Sequence, residues 1–371
     1  MASFVDFTFK IMQYLYRSNG NIAISPLAIE ISILNILASL SEDCQEEIWH
    51  SVLEIESNEN EQIEEYFRRM RSILDELRLL DEFRIYSFIY LSRDYEMIQN
   101  YCDVVGSNLD TIVKQVHFDN NSLALYQIID NQVSEITLGR ITKIFKNIPS
   151  CSNLLSINST SFRNLSRLNF NTRYDCFYTE DCMDIKIPYT IHCGIFHFRT
   201  HSQFTSVELN YLDEENLFLT LILPNENVGI KEVWDSLSRN KLFFLSNFPS
   251  LMQIEIHLPM IELRMNIDLS YILQLAGLAK VFDAEQANLS GLVSNSLNLC
   301  FESILFNTDL ALNGNFKEPS APANNKTDIP DPFPVIFNRP FIYLITFKTK
   351  SNRSRVVLFA GIVNNVVDCI N

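Results

Sequence analysis

The chain has 371 residues, and its 29 Lys and Arg against 45 Asp and Glu give a formal net charge of −16. Hydrophobic residues make up 47% of the chain and charged residues 20%, which is typical of a folded globular protein. An acidic chain lacks the basic face that binds phosphates or anionic headgroups, which excludes nucleic acid and membranes as expected partners. The length suits one large domain or about two or three average ones.

Helical patterns dominate the first 150 residues. A first helix is predicted by the helical spacing of Val5, Phe9, Met12 and Tyr16. Residues 61–80 predict a longer amphipathic helix, whose apolar stripe is formed by Ile63, Phe67, Met70, Leu74 and Leu77.

The N-terminus does not resemble a secretory signal peptide, because Asp6 interrupts the apolar stretch and no basic residue precedes Lys10. No segment has the roughly 18 uncharged apolar residues of a membrane span. Eight cysteines are too few for a disulfide scaffold. We therefore expect a cytoplasmic protein with reduced thiols, and we leave open its secretion by a route that needs no signal.

From about residue 185 the pattern changes to strands. The apolar run Leu217–Leu223 ends at Pro224, as a buried strand would, and Gln253–Leu258 alternates between apolar and polar residues. Ile342–Phe347 and Val356–Val363 are separated by a short charged turn, so we predict that they form a hairpin.

Residues 311–334 differ from the rest of the chain, because they are rich in Pro, Asn and Gly and have no apolar periodicity. Such a long segment without structure is uncommon inside a compact domain and is usually functional. Strand sequence follows it directly, which predicts a long exposed loop held at both ends.

Most catalytic motifs are absent, since the sequence has no glycine-rich phosphate loop, HExxH, GxSxG or CxxC. It does contain one cluster of metal-binding residue types, formed by Cys176, Cys182, His192, Cys193, His197 and His201. Zinc needs three or four donors that converge. Adjacent His192 and Cys193 point to opposite faces of a strand, and the residues around His197 do not favour a helix. The pattern favours ordinary, partly buried side chains and no metal site.

Several stretches of the chain resemble the serpin family. In chain order they are Asn21–Pro26, Ile129–Phe145, His257–Pro259, Leu275–Leu278, Val281–Phe282, Ala287–Gly291, Ile336–Phe341 and Val357–Val363. Each match alone is weak, but together they follow the family's order over nearly the whole chain. The missing signal and the Asn- and Ile-rich composition further resemble the intracellular poxvirus members.

The resemblance implies an α+β fold in a single domain over residues 1–371, with three β-sheets and eight or nine helices. It also implies that residues 311–334 form an exposed reactive loop. In inhibitors of this family a protease cleaves that loop, which then inserts into the central sheet as a new strand. The implied function is protease inhibition without enzymatic activity, cofactor or metal, by a monomer in the cytoplasm (the host cytoplasm for a viral protein).

The hinge of the loop departs from the family's inhibitors, which have small residues after a glycine. Here Gly314 is followed by Lys317, Glu318, Pro319 and Pro322. Proline cannot donate a backbone hydrogen bond and is essentially absent from central strands. Strand alternation would also direct Lys317 or Glu318 to the interior, where an unpaired charge is costly. The loop is therefore predicted to insert poorly.

The residues that resemble the family's sheet-opening region are only partly retained. Ser25 and Asn158 match it, Ala28 replaces a second serine, and Phe301 stands near the position of a histidine. These changes put the opening of the sheet in doubt and leave the fold intact.

The scissile bond has three candidates. Counting forward from Gly314 by the family's interval gives Asp328, and counting back from Phe337 gives Ile329. Asp328 would suit an Asp-specific protease, whereas the nearby Lys326 would suit a trypsin-like serine protease.

Three functions compete at this point. The first is inhibition of a serine or cysteine protease. The second is a non-inhibitory serpin-fold protein that binds another partner, as a viral protein that modulates its host would. The third is a zinc-dependent enzyme that uses His192, His197 and His201.

Overall fold

Eight helices lie among the residues that the structure describes. The structure is a computed structural model that describes residues 10–16, 20–53, 59–118, 122–145, 153–163, 172–181, 183–212, 215–239, 250–314, 316–317, 332–351 and 355–367. The helices are α1 (10–15), α2 (Pro26–Ser39), α3 (Glu42–Leu53), α4 (Glu59–Leu77), α5 (Gln99–Leu109), α6 (Ser122–Ile136), α7 (Ile230–Arg239) and α8 (Ser270–Leu273). None of these described helices is both long and apolar enough to cross a bilayer.

The strands occur throughout the chain. They are β1 (Ile22–Ile24), β2 (Phe83–Ser92), β3 (Thr111–Val116), β4 (Leu154–Phe162), β5 (Thr172–Tyr178), β6 (Asp184–Thr200), β7 (Phe204–Tyr211), β8 (Leu217–Pro224), β9 (Leu251–Pro259), β10 (Glu262–Asp268), β11 (Ser303–Ala311), β12 (Phe316–Lys317), β13 (Phe333–Ile336), β14 (Phe341–Lys348) and β15 (Arg355–Val363). They form a five-stranded and a ten-stranded sheet.

The five-stranded sheet has the order β10-β11-β4-β2-β3. Its neighbouring strands β4 and β11 are parallel and paired from Leu155 opposite Ser303 to Phe162 opposite Leu310. β10 and β2 flank this pair in antiparallel orientation. The boundary between β4 and β11, here called the central seam, is thus closed along its length.

The long strand β6 divides the ten-stranded sheet into two parts. Its first residues pair with β5, its middle with β9 and its last residues with β7. One part is β5-β6-β9-β13, and the other runs from β6 through β7, β8, β14 and β15 to β1. Together with the five-stranded sheet these parts make three sheets, so the predicted α+β fold with three sheets is confirmed.

The hydrophobic core lies between the sheets and around the buried helix α2. Ser25 caps this helix by accepting a hydrogen bond from the Ala28 N–H, and Pro26 occupies its first turn. The helix contacts β2, β4 and β15, and one continuous core cluster joins both sheets. Burial on most sides explains why apolar residues occur around most of the circumference of α2.

Helix α6 covers the outer face of the five-stranded sheet. Alternate residues of the sheet, among them Phe88, Leu155 and Leu305, point outward and pack against Tyr126 and Val133 in a second, separate cluster. The central seam is therefore covered by the inner core on one face and by α6 with the segment after it on the other.

Most predicted elements are confirmed, with one correction. The helix predicted over 61–80 is α4, and the predicted C-terminal hairpin is the antiparallel pair β14–β15. The first 150 residues are less helical than predicted, because β2 and β3 lie within them. The apolar residues of β2 and β3 pair with neighbouring strands, so the tertiary structure decided the conformation of these two segments.

Candidate functional site: the central seam and the loop hinge

The segment 311–334 follows β11 directly, so it begins at the edge of the central seam. A strand added between β4 and β11 would have to break all the backbone pairing between them. Whether such an insertion is possible depends on two sets of contacts. One set joins β4 to β11, and the other fixes the start of the segment.

A cluster of ion pairs bridges the end of the central seam. Arg163, directly after β4, donates from Nε to Asp309 Oδ1 of β11 at 2.9 Å and from Nη2 to Asp309 Oδ2 at 3.2 Å. Arg264 of β10 donates from Nε to Asp309 Oδ2 at 3.0 Å, and Glu262 accepts from both arginines at 3.2 Å. Hydrogen bonding to Asp309 raises the pKa of Arg163. These four residues, here called the arginine clamp, join three strands.

The first residues of the predicted loop are structured and at least partly buried, which corrects the prediction for residues 311–314 and 316–317. Residues 318–331 lie outside the described part of the chain, and for them the exposed loop stays a prediction. Ala311 ends β11, and Leu312 and Gly314 are buried. Phe316–Lys317 then forms β12, which pairs antiparallel with Tyr211 and Asn210 at the end of β7. The hinge therefore lies on the ten-stranded sheet and not in the central seam.

The Phe316 side chain packs against two rings of the ten-stranded sheet. Its ring lies 4.9 Å from the His192 ring and 5.1 Å from the Tyr211 ring, measured between centroids. The neighbouring Lys317 Nζ donates to Glu215 Oε1 at 2.9 Å, but both side chains are well exposed. A surface ion pair of this kind contributes about 0–1 kcal/mol, so the aromatic contacts dominate.

Polar side chains are buried along the central seam, and several of their atoms have no hydrogen-bond partner among the described residues. Asn158 Nδ2 donates to Ser156 Oγ at 3.3 Å, but Asn158 Oδ1 has no partner. On the outer face, Ser159 Oγ and both amide atoms of Asn307 also lack one, although these two residues are opposite each other. These atoms are therefore hydrogen-bonding groups along the seam that the described residues do not use.

Comparison with known proteins identifies the family. The model of the serpin (serine protease inhibitor) family matches residues 2–366. The chain belongs to the serpin family. It is similar to human (Homo sapiens) serpin B13, with 25% identity covering 95% of this chain and 96% of that protein.

Binding proteins and inhibitors both occur among its relatives. Corticosteroid-binding globulin of Ovis aries is 22% identical over 92% of this chain and 80% of that protein. The structure of the mouse protein-Z dependent protease inhibitor matches with a TM-score of 0.83 and 19% identity, covering 99% of this chain and 97% of that one. The fold of this serpin is thus shown, and its place among inhibitors or binding proteins has to be argued from its own residues.

The residues predicted for sheet opening are partly brought together. Ser25 caps α2 and Ala28 is fully buried one turn later, where Ser32 Oγ donates to the Ala28 carbonyl at 3.1 Å. Asn158 lies in β4 on the central seam. Phe301 is buried just before β11, and the β11 residue opposite Asn158 is Phe306. The assignment of Phe301 to the histidine position of the family stays a prediction from the sequence.

The remaining predicted loop residues lie outside the described part of this serpin. They are the hinge residues Glu318, Pro319 and Pro322 and the scissile candidates Lys326, Asp328 and Ile329. Their assignment stays a prediction from the sequence.

The histidine and cysteine cluster does not form a ligand set among the described residues. His192 and Cys193 are neighbours in β6: His192 contacts Thr190 and Phe316, whereas Cys193 is exposed and donates to Glu255 Oε2. Burial lowers the pKa of His192 to about 4. Among the described residues no group of three or more His, Cys, Asp or Glu side chains is arranged so that it could hold a metal ion, while Cys182 lies outside them. The zinc-enzyme hypothesis gains no support.

Sequence reasoning missed the clamp and the aromatic contacts of the hinge. The sequence could have pointed to the clamp, because the carboxylate of Asp309 lies in an apolar strand and needs a partner there. It could not have pointed to Tyr211, since an aromatic residue at the end of a strand is ordinary.

Proposed function

We propose that this serpin is a non-inhibitory binding protein that presents segment 311–334 to a partner of the protease class without trapping it. The observation that supports the proposal is the hinge, which is paired with β7 through Phe316–Lys317 and so lies outside the central seam. A protease would meet the loop as a substrate, and the fold would not respond by adding a strand.

The sequence beyond β12 supports the same proposal. Pro319 and Pro322 would each leave an acceptor of the adjacent strand without its donor, which costs about 1–3 kcal/mol per site. Strand alternation would bury the charge of either Lys317 or Glu318, and in the first case Lys317 would exchange its contact with Glu215 for a buried position. The central seam and its arginine clamp would have to open first.

The test is to cut the loop between residues 314 and 334 with a low-specificity protease and to compare thermal melts. We expect the melting temperature to stay unchanged or to fall after cleavage, because the loop does not become a strand. A rise of tens of degrees would show insertion and overturn the proposal.

A second candidate is a trapping inhibitor of a serine or Asp-specific protease. Two features favour it: β11 leads straight from the central seam into the loop, and Asn158, Ser159 and Asn307 keep partnerless polar atoms there that a new strand could satisfy. Denaturant-resistant complexes with an Asp-specific protease, lost on Asp328→Ala and kept on Lys326→Ala, would support this candidate. Clean cleavage without a complex would support the binding protein.

A further inference from the structure

The end of β7 and the middle of β6 together form a socket for one side chain of the loop hinge. Phe316 packs between His192 of β6 and Tyr211 of β7, and its ring makes a T-shaped contact with the imidazole at an interplanar angle of 73°. The Tyr211 ring is tilted by 49° at 5.1 Å. We call His192 and Tyr211 the aromatic socket.

Both residues of the socket also contact residues outside the hinge. Tyr211 is fully buried, and its ring packs edge-on against Phe162 at 5.4 Å. The His192 ring contacts Thr190 Oγ1 at 3.0 Å. Burial keeps the pKa of His192 near 4, so the imidazole is neutral at neutral pH and packs without a buried charge. Both walls are fixed by residues that do not belong to the loop.

The same aromatic chain reaches the central seam. Phe162, which contacts Tyr211, is the last residue of β4 and lies opposite Leu310 of β11. It is fully buried and also packs against Phe359 of β15. Phe316, Tyr211 and Phe162 therefore connect the hinge with the position where a new strand would begin to enter.

Entry of the hinge into the central seam would remove Phe316 from this socket. The backbone pairs of β12 with Tyr211 and Asn210 would break at the same time. Withdrawing a largely apolar aromatic side chain from such contacts is far costlier than breaking the exposed Lys317–Glu215 pair. The socket thus holds the hinge independently of the prolines further along.

We propose that Phe316 is a latch residue that fastens the loop hinge to β7 through the aromatic socket and so keeps it out of the central seam. This inference rests on the proposed function, since a latch matters only where the hinge stays outside the sheet. It adds to that function a named residue that positions the loop.

Hydrogen exchange of the uncleaved protein tests the latch directly. In Phe316→Ala we expect the amides of peptides covering 311–317 and 205–211 to exchange about tenfold faster or more, because β12 detaches from β7. Phe316→Tyr keeps the ring and should restore the wild-type rates. Lys317→Ala is the matched control, and it should leave both peptides close to wild type.

A second variant keeps the test independent of the hinge sequence. His192→Ala removes one wall of the socket and should speed exchange in the same two peptides, while the β14–β15 peptides stay protected. Unchanged exchange in Phe316→Ala and in His192→Ala would overturn the latch. Faster exchange across all sheets would also overturn it, because the residue would then be part of the general core.

The latch and the proposed function are tested by different measurements. Exchange before cleavage reports only on the latch, whereas melting after cleavage reports on insertion. If Phe316→Ala releases the hinge and the cleaved variant gains tens of degrees, the latch is supported and the prolines are not the barrier. If it releases the hinge without any gain, the latch is supported and the prolines still prevent insertion.

Discussion

Arg163 and Asp309 are 146 positions apart in the chain, yet they form a two-pronged ion pair across the end of the central seam, with donor–acceptor distances of 2.9 and 3.2 Å. The Asp309 side chain is only 2% exposed, whereas that of Arg163 is 29% exposed. The buried carboxylate depends on Arg163 and Arg264 for compensation of its charge.

Asp309→Asn should therefore destabilise the native protein. Both arginines would lose the buried anion that they share and keep only the partly exposed Glu262, while little volume changes. Since the arginines are partly exposed, we expect a loss of about 1–3 kcal/mol in the free energy of unfolding. Denaturant unfolding measures this. Asp75→Asn is the matched control, because Asp75 pairs with Arg71 and Arg78 on the surface and should change stability by at most about 0.5 kcal/mol. Equal effects of the two variants would contradict the clamp.

The stability of the native protein should decrease in acid in a way that depends on His192. Burial lowers the folded-state pKa of His192 to about 4, below the usual value of 6.5. Between these values the unfolded chain binds a proton that the folded protein does not, so stability falls as the pH decreases from 6.5 to 4. His192→Gln should remove about 2–3 kcal/mol of this decrease. Urea melts at several pH values measure it, and a His192→Gln profile that matches the wild type would contradict the prediction.

The prolines of the hinge should block insertion after cleavage. Replacing Pro319 and Pro322 with Ala restores two backbone donors, so the cleaved double variant should melt higher than the cleaved wild type. Pro332→Ala is the control, because it lies after every scissile candidate and would not enter the sheet. An unchanged melting temperature of the cleaved double variant would show that the prolines are not what prevents insertion.

Gly361 of β15 should not tolerate a side chain. A Cβ atom there would collide with the Ile22 carbonyl of β1 and with the Tyr343 hydroxyl, which donates to that carbonyl. We expect Gly361→Ala to cost about 3 kcal/mol or to prevent folding. Gly229→Ala is the matched control, since nothing lies within 4 Å of the added atom, and its thermal melt should be close to wild type. Similar melts for both variants would contradict this packing.

The local sequence pattern was sufficient to predict those strands whose apolar runs and flanking turns are recognisable within the segment itself. Residues 217–223 and the pair β14–β15 were predicted because long apolar runs end at turns. Strands β2 and β3 were missed, since an apolar run such as Phe83–Ser92 suits a helix or a strand until its partner is known. Its partners are β4 and the parallel strand β3, which lie further along the chain.

The amino-acid sequence by itself determined the family motifs, the apolar strands and the poor insertion chemistry of Lys317, Pro319 and Pro322, because these depend on residue type and near neighbours. Only the tertiary structure decided where the hinge lies and what holds the central seam. Phe316 meets His192 and Tyr211, and Arg163 meets Asp309, across more than a hundred residues of chain. Strand order and register create such contacts, and neither is contained in the periodicity of any single segment.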